Sequence, residues 1–244
     1  MSIALPIFAL LARADLQDVI AALSTPGALS ALRLSFVTAS ISTVLCVLVG
    51  VPLAIFLTEY SGLLSQVVRA LVNLPLVMPP LVGGLALLLL LGRTGVLGGY
   101  FAELGISIPF TTPAVVIAQV FVALPFMVIS VEGTLRAQSR GFRDVASSLG
   151  ASPTQTLMRI TLPLARSGVF AGIVLTFARA VGEFGATALF AGNREGVTQT
   201  MPLVIYTAFN GGGANVKTAI SLALLLLFTA FAVMIFTKSW YPQR

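Results

Sequence analysis

Long apolar runs, not short alternations, organise this chain. Four stretches, Leu34 to Thr58, Ala70 to Gly92, Pro113 to Val131 and Thr218 to Thr237, each carry about twenty predominantly apolar residues, enough for a helix to cross about 30 Å of hydrocarbon. A fifth, from Ser167 to Ala191, is interrupted by Arg179 and Glu183 and is expected to be a span with a charged interruption. The opening segment, Met1 to Ala12, has about twelve uncharged residues, too few to cross, and lacks the basic head and cleavage site of a signal peptide. It is expected in the interface or against neighbouring helices. The pattern predicts an all-α, polytopic membrane bundle of five spans.

Composition agrees. Hydrophobic residues make up 57% of the chain and charged ones 9%, with a mean hydropathy of +1.02, whereas soluble domains carry roughly 25% charged residues. Positive residues of short loops are retained on the cytoplasmic side. With the loop from Arg136 to Arg166 inside, that side collects Arg69, Arg136, Arg140, Arg143, Arg159, Arg166, Lys238 and Arg244; the other collects Arg13, Arg33, Arg93, Arg194 and Lys217, partly balanced by Asp15, Asp18, Glu103 and Glu195. This predicts the N-terminus outside and the C-terminus in the cytoplasm. The net charge of +6 is spread over loops with almost no aromatic interleaving, so topology explains it and nucleic-acid binding does not. Cys46 is the single cysteine and there is no histidine, which removes a disulfide within one chain and the usual metal ligands.

The basic loop has a readable shape. Gly141 to Leu149 has good helix formers and meets Gly150, the residue type favoured just past a helix C-terminus. Ser152-Pro153-Thr154-Gln155 then supplies a capping serine, a proline at the first helical position and a glutamine three residues after the cap. Two short helices hinged at Gly150 and Ala151 are expected, the second carrying Leu157, Ile160 and Leu162 and stopping at Pro163.

Asp144, Val145 and Ala146, with Gly150, Ile160, Leu162 and Pro163 in register, resemble the signature loop of ABC importer permeases: Glu-Ala-Ala, three residues, Gly, nine residues, Ile, one residue, Leu-Pro. The departures are Asp for Glu and Val for the first Ala. The resemblance implies a type I ABC importer permease fold, one permease domain over residues 1–244 with a cytoplasmic coupling loop at about 136–166. It also implies that Arg143, Asp144, Val145, Ala146, Ser147, Leu149, Gly150 and Ala151 engage an ATP-binding subunit. The chain has no Gly-x-x-x-x-Gly-Lys-Ser/Thr phosphate loop. Nothing catalytic and no cofactor is therefore expected on it, with ATP and Mg on the partner ATPase.

Within the fifth span, Arg179 and Glu183 are four residues apart and, on a continuous helix, would share a face and neutralise each other. Ionisable residues at membrane depth usually face a bundle interior or a watery cavity. Two readings stand: residues of a translocation path, with Gly182, Gly185 and Thr187 beside them, or a clamp between helices or subunits. Glu183 by itself would repel an anion. Pro75, Pro79 and Pro80 are expected to break the second span early, with Pro79 and Pro80 on the path or, alternatively, in a kinked helix packed among others.

The stretch Phe177-Ala-Arg-Ala-Val-Gly-Glu-Phe-Gly-Ala-Thr187, with Ala191-Gly-Asn193, Thr200-Met-Pro-Leu-Val-Ile-Tyr206 and Leu74-Pro-Leu-Val-Met-Pro-Pro-Leu-Val-Gly83, closely resembles the molybdate branch of the sulfate/molybdate importers. That resemblance implies molybdate or tungstate as cargo, with sulfate or thiosulfate as the alternative. Some members carry six spans, and Leu5 to Ala12 looks like the tail of a first span. The implied partners are a second copy of the chain, two cytoplasmic ATP-binding subunits, an extracytoplasmic oxyanion-binding protein and the lipid of the cell membrane. A gradient-driven secondary transporter would place paired carboxylates or cation ligands near mid-membrane, often in inverted repeats; the sequence shows one buried acid and no repeat.

Overall fold

A computed structural model describes residues 4–13, 16–23, 26–137, 145–146, 148–211 and 216–238. Among them every regular element is helical. In chain order these are α1 (Ala4–Ala12), α2 (Leu16–Leu23), α3 (Pro26–Glu59), α4 (Leu63–Val77), α5 (Pro80–Leu91), α6 (Gly98–Glu103), α7 (Thr112–Ala137), α8 (Pro153–Thr156), a π-turn (Leu157–Thr161), α9 (Leu162–Val181), α10 (Gly185–Phe190), α11 (Met201–Phe209) and α12 (Val216–Lys238).

Three stretches are long and apolar enough to cross a membrane: Gly27–Glu59, Thr112–Ala137 and Pro153–Val181. They contain the first and third expected spans and the part of the fifth that precedes Gly182. The second expected span is two shorter apolar helices, Leu63–Val77 and Pro80–Leu91, and the last contributes the apolar stretch Lys217–Ala232. Pro75 does not cause the break, because it lies inside α4. The interruption falls at Met78, which is extended (φ −75°, ψ 133°), as a residue before proline must be to avoid the proline ring.

The helix after Ser152 does not stop at Pro163 as the sequence suggested. It continues as α8, the π-turn and α9. A proline inside an α-helix clashes with the carbonyl four residues back and removes a hydrogen bond. Here the preceding turn is widened, with the Leu162 N–H bonding to the Leu157 carbonyl five residues back, and the ring is absorbed where a bulge already loosens the ladder.

The chain divides into two compact units. One comprises residues 40–79 and 120–180, the other residues 1–39, 80–119 and 181–244. In the first, Met127 of α7 is fully buried and lies against Gly50 of α3 and Gly172 of α9; a Cβ at either glycine would come within 2.8 and 2.6 Å of its side chain. Gly168, four residues before Gly172, lies as closely on α7: its carbonyl accepts the Ser130 hydroxyl at 2.9 Å. This spacing of small residues lets backbones approach, the main source of helix association where lipid offers no hydrophobic gain.

In the other unit, α11 packs on α12 and α12 on α2. Ala28, Met201 and Leu222 form a buried cluster supported by Leu32, Val204, Ile205, Leu225 and Leu226. The Met201 N–H donates to the buried Ser35 hydroxyl at 2.7 Å, satisfying one of the backbone donors that open α11.

Candidate functional site

The elbow before α9 has the local geometry its residues dictate. Gly150 is left-handed (φ 81°), and the Ala151 N–H reaches the Ala146 carbonyl at 3.0 Å, the six-to-one bond of a glycine-terminated helix end. Two residues later the next helix is capped reciprocally. The Gln155 N–H donates to the Ser152 hydroxyl at 3.3 Å, and the Ser152 N–H donates to Gln155 Oε1 at 2.9 Å, with Pro153 in the first helical turn. Ala146 is buried, whereas Val145 and Leu149 are 59% and 83% exposed. Of the residues expected to couple to a partner, Val145, Ala146, Leu149, Gly150 and Ala151 are thus placed. Arg143, Asp144 and Ser147 lie outside the described residues.

The second candidate region lies within one unit, where α5 packs on α10. The contact is set by two glycines. A Cβ on Gly84 would stand 2.7 Å from the Ala186 carbonyl oxygen and 2.8 Å from its Cα, and one on Gly185 would stand 2.8 Å from Pro80 Cβ. Pro80 and Gly185 are thereby brought to one contact. Pro79 lies in the break before α5 and is exposed.

Glu183 is not on a helix with Arg179, contrary to the sequence reading. α9 ends at Val181, and Gly182 to Phe184 are non-helical before α10 begins. A shared face at four-residue spacing requires a continuous helix, and glycine at 182 removes that continuity. Arg179 remains in the last turn of α9, half-buried; Gly182 is exposed. Glu183 is buried and accepts the Ala186 N–H at 2.7 Å. It therefore caps α10, placing negative charge where the unpaired N–H groups of a helix start favour it. Four residues past Glu183, Thr187 is fully buried and its hydroxyl has no hydrogen-bond partner among the described residues.

One cluster escaped the sequence reading. Glu132, near the end of α7, accepts from Arg69 of α4 at 2.7 Å and from Arg136 one turn on at 2.8 Å. Both guanidinium groups also donate to the Leu57 carbonyl, at 2.9 and 3.2 Å, in the last turn of α3, where carbonyls lack helical partners. The C-terminal ends of α3 and α7 are tied to the middle of α4 by one carboxylate and one carbonyl. The signal in the sequence was Glu132 followed by Arg136 at helical spacing, acid first; nothing there pointed to Arg69 or Leu57.

The family profile described as "Binding-protein-dependent transport system inner membrane component" matches residues 47–241, a span holding the elbow, the Glu132 cluster and the contact between α5 and α10. The chain belongs to this family. Over 233 residues it is 48% identical to the molybdenum transport system permease protein ModB of Mycobacterium tuberculosis, covering 96% of this chain and 87% of that one. The sulfate transport system permease protein CysW of Escherichia coli is 34% identical over 219 residues, covering 88% and 75%. Among solved structures, a bacterial ABC transporter involved in the import of the acidic polysaccharide alginate matches with a TM-score of 0.76 at 16% identity, over 92% of this chain and 82% of that one. The expected importer-permease fold and family are met, and the chain is a multi-pass membrane permease.

Proposed function

We propose that this permease is the membrane-spanning subunit of an ATP-driven importer of molybdate, with tungstate as an equivalent cargo. The observation that carries the reading is the 48% identity to a molybdenum permease over nearly the whole chain, against 34% to a sulfate permease. Two copies of the chain would frame one path, supplied by an extracytoplasmic oxyanion-binding protein and driven by two cytoplasmic ATP-binding subunits that carry ATP and Mg. The N-terminus lies outside and the C-terminus in the cytoplasm.

Coupling is assigned to the elbow. Val145 and Leu149 form an exposed apolar pair one helical turn apart, suited to a cleft on a soluble subunit. The left-handed glycine and the capping box fix the angle at which the following helix leaves. That helix runs without interruption into α9, so a push on the elbow is delivered to a membrane span. ATP must favour one arrangement over the other for this to do work.

The path or gate is assigned to Arg179, Gly182, Glu183, Gly185, Thr187, Pro79 and Pro80. Glu183 already occupies the place at the start of α10 that an anion would take, so tight binding of an oxyanion there is disfavoured. The Thr187 hydroxyl is a buried polar group left to serve a passing ligand. Weak contact is what a conduit needs, since tight binding would hold the cargo.

The test is uptake of radiolabelled molybdate into proteoliposomes containing the assembled complex and its binding protein, with molybdate, tungstate and sulfate as competitors at matched concentration. Molybdate and tungstate are expected to compete and sulfate to fail; equal competition by sulfate refutes the molybdate reading. Deleting residues 143–150 is expected to abolish ATPase association and uptake together.

A further inference from the structure

Among the described residues, Phe110 is the one residue other than glycine with a positive φ (61°). It follows Pro109 in the turn that leads into α7, where the Thr111 hydroxyl donates to the Ile108 carbonyl. After a turn proline, a position with positive φ normally takes glycine or asparagine, because a bulky side chain there collides with its own backbone. Core packing does not explain the phenylalanine, since it is 58% exposed. A side chain held against a backbone preference, and not needed for the core, points to what it touches.

What it touches is the far end of α10, in the same unit. The Phe110 N–H donates at 3.3 Å to the carbonyl of Phe190, the last residue of α10. The ring lies on Gly192, where a Cβ would stand 3.0 Å from its Cδ1. Gly192 in turn donates its N–H to the Thr187 carbonyl at 3.1 Å, beside Ala191 at 2.8 Å. Thr112, the first residue of α7, adds a third grip by donating its hydroxyl to the Val197 carbonyl at 2.8 Å. The near end of α10 is fixed separately, by Glu183 on the Ala186 N–H and by Gly185 against Pro80. A helix of six residues has too few bonds of its own to set its position, so the grips at its two ends set it.

We propose that Phe110 is a positioning residue for transport. Its ring, acting through Gly192 and the bond from Gly192 to Thr187, fixes where α10 holds the buried Thr187 hydroxyl. The proposal rests on the assignment of α10 to the path. Removing the ring should loosen the last turn of α10 and leave the rest of the fold in place, because the substituted position is exposed and its backbone is relieved.

The experiment uses the assembled complex with its binding protein. Phe110→Gly and Phe110→Asn accept positive φ and lack the ring; Phe110→Tyr keeps it. Hydrogen exchange in peptides covering residues 185–197 should quicken about tenfold in the first two variants, through local opening, with α12 unchanged. Their Tm should stay within about 2–4 °C of wild type, while molybdate uptake falls about tenfold through misplacement of a contact group. Agreement between Phe110→Gly and Phe110→Asn excludes the added freedom of glycine as the cause, and Phe110→Tyr should behave as wild type in all three measurements. Combined with Thr187→Val, the loss in Phe110→Gly should be less than multiplicative, since both changes act on one group. Unchanged exchange in Phe110→Gly overturns the proposal and leaves the path assignment standing; faster exchange with normal uptake overturns both. Losses that multiply, or a fall in Tm beyond that range, also overturn it, the first by separating Phe110 from Thr187 and the second by making the ring a fold contact.

Discussion

Replacing Glu132 with glutamine should loosen the junction of α3, α4 and α7 by an amount the geometry allows to be worked out. The carboxylate is 11% exposed, Arg69 is 32% exposed and Arg136 is 49% exposed. The Arg136 arm is close to a surface helix pair and contributes about 0.3–0.5 kcal/mol. The Arg69 arm is short and better shielded, so a hydrogen bond to a charged group of about 1.5–3 kcal/mol applies. Glutamine keeps one acceptor oxygen, which retains part of that, while the two guanidinium groups lose the charge that holds them together. The net cost is about 2 kcal/mol, or roughly 4–8 °C in Tm for a chain of this length.

The assay is a double-mutant cycle with Arg69→Gln, read by thermal unfolding of the purified complex in detergent. Arg69→Gln also removes the bond to the Leu57 carbonyl, so its single effect should be at least as large as that of Glu132→Gln. The double variant should be less destabilised than the sum by about 1 kcal/mol or more, since the two changes delete one interaction. Additivity within about 0.3–0.5 kcal/mol, the behaviour of independent sites, would refute the claim that this cluster ties α4 to the ends of α3 and α7.

Other substitutions separate close packing from open space and charge from shape. Gly84→Ala, whose Cβ would meet the Ala186 backbone, should cost about 1–3 kcal/mol by overpacking and lower uptake; Gly133→Ala, on α7 with nothing within 4 Å, should raise stability by up to about 1 kcal/mol through helix propensity. Glu183→Gln keeps an acceptor for the Ala186 N–H and should retain most of the thermal stability while uptake falls at least tenfold; Glu183→Ala strands a buried donor and should cost a further 1–3 kcal/mol or so. Normal uptake by Glu183→Gln would show that the charge has no part in transport. Ser152→Ala removes the reciprocal cap, at about 1 kcal/mol, and should lower coupled ATPase activity more than it lowers global Tm, because the capped turn is exposed.

What was legible in the sequence was whatever local chemistry decides. The capping box at Ser152 to Gln155 and the left-handed Gly150 followed from residue types within a few positions, and apolar length placed α3, α7 and α12. Illegible features needed a partner distant in sequence or a compensation elsewhere. Pro163 read as a stop because proline ends an isolated helix, and only the π-turn before it reverses that outcome. Glu183 read as lying on one continuous helix with Arg179 because continuous apolar character hid the break at Gly182. Arg69 read as a topology signal alone; its second role depends on Glu132, 63 residues away.

Hydropathy measures whether a segment dissolves in lipid, not whether its hydrogen bonds run unbroken; prolines announced the break in Ala70 to Gly92, whereas the one at Gly182 within Ser167 to Ala191 went unread. Broken backbone at membrane depth is tolerated only where protein or water satisfies the freed groups, and both short helices that follow the breaks meet this condition against one another. Gly84 and Gly185 let α5 and α10 touch at backbone distance, and the Glu183 carboxylate takes up the Ala186 N–H that the break exposes. Thr187 of α10 is fully buried, and its hydroxyl has no hydrogen-bond partner among the described residues. A residue with no structural employment, on a short helix whose start is already capped by an acid, is where a weakly held ligand would register first. Thr187→Val, which keeps shape and removes the hydroxyl, should therefore leave stability within about 1 kcal/mol of wild type, because the lost group made no bond, and change the uptake rate or the molybdate-to-sulfate ratio. A variant indistinguishable from wild type in both would take Thr187 off the path.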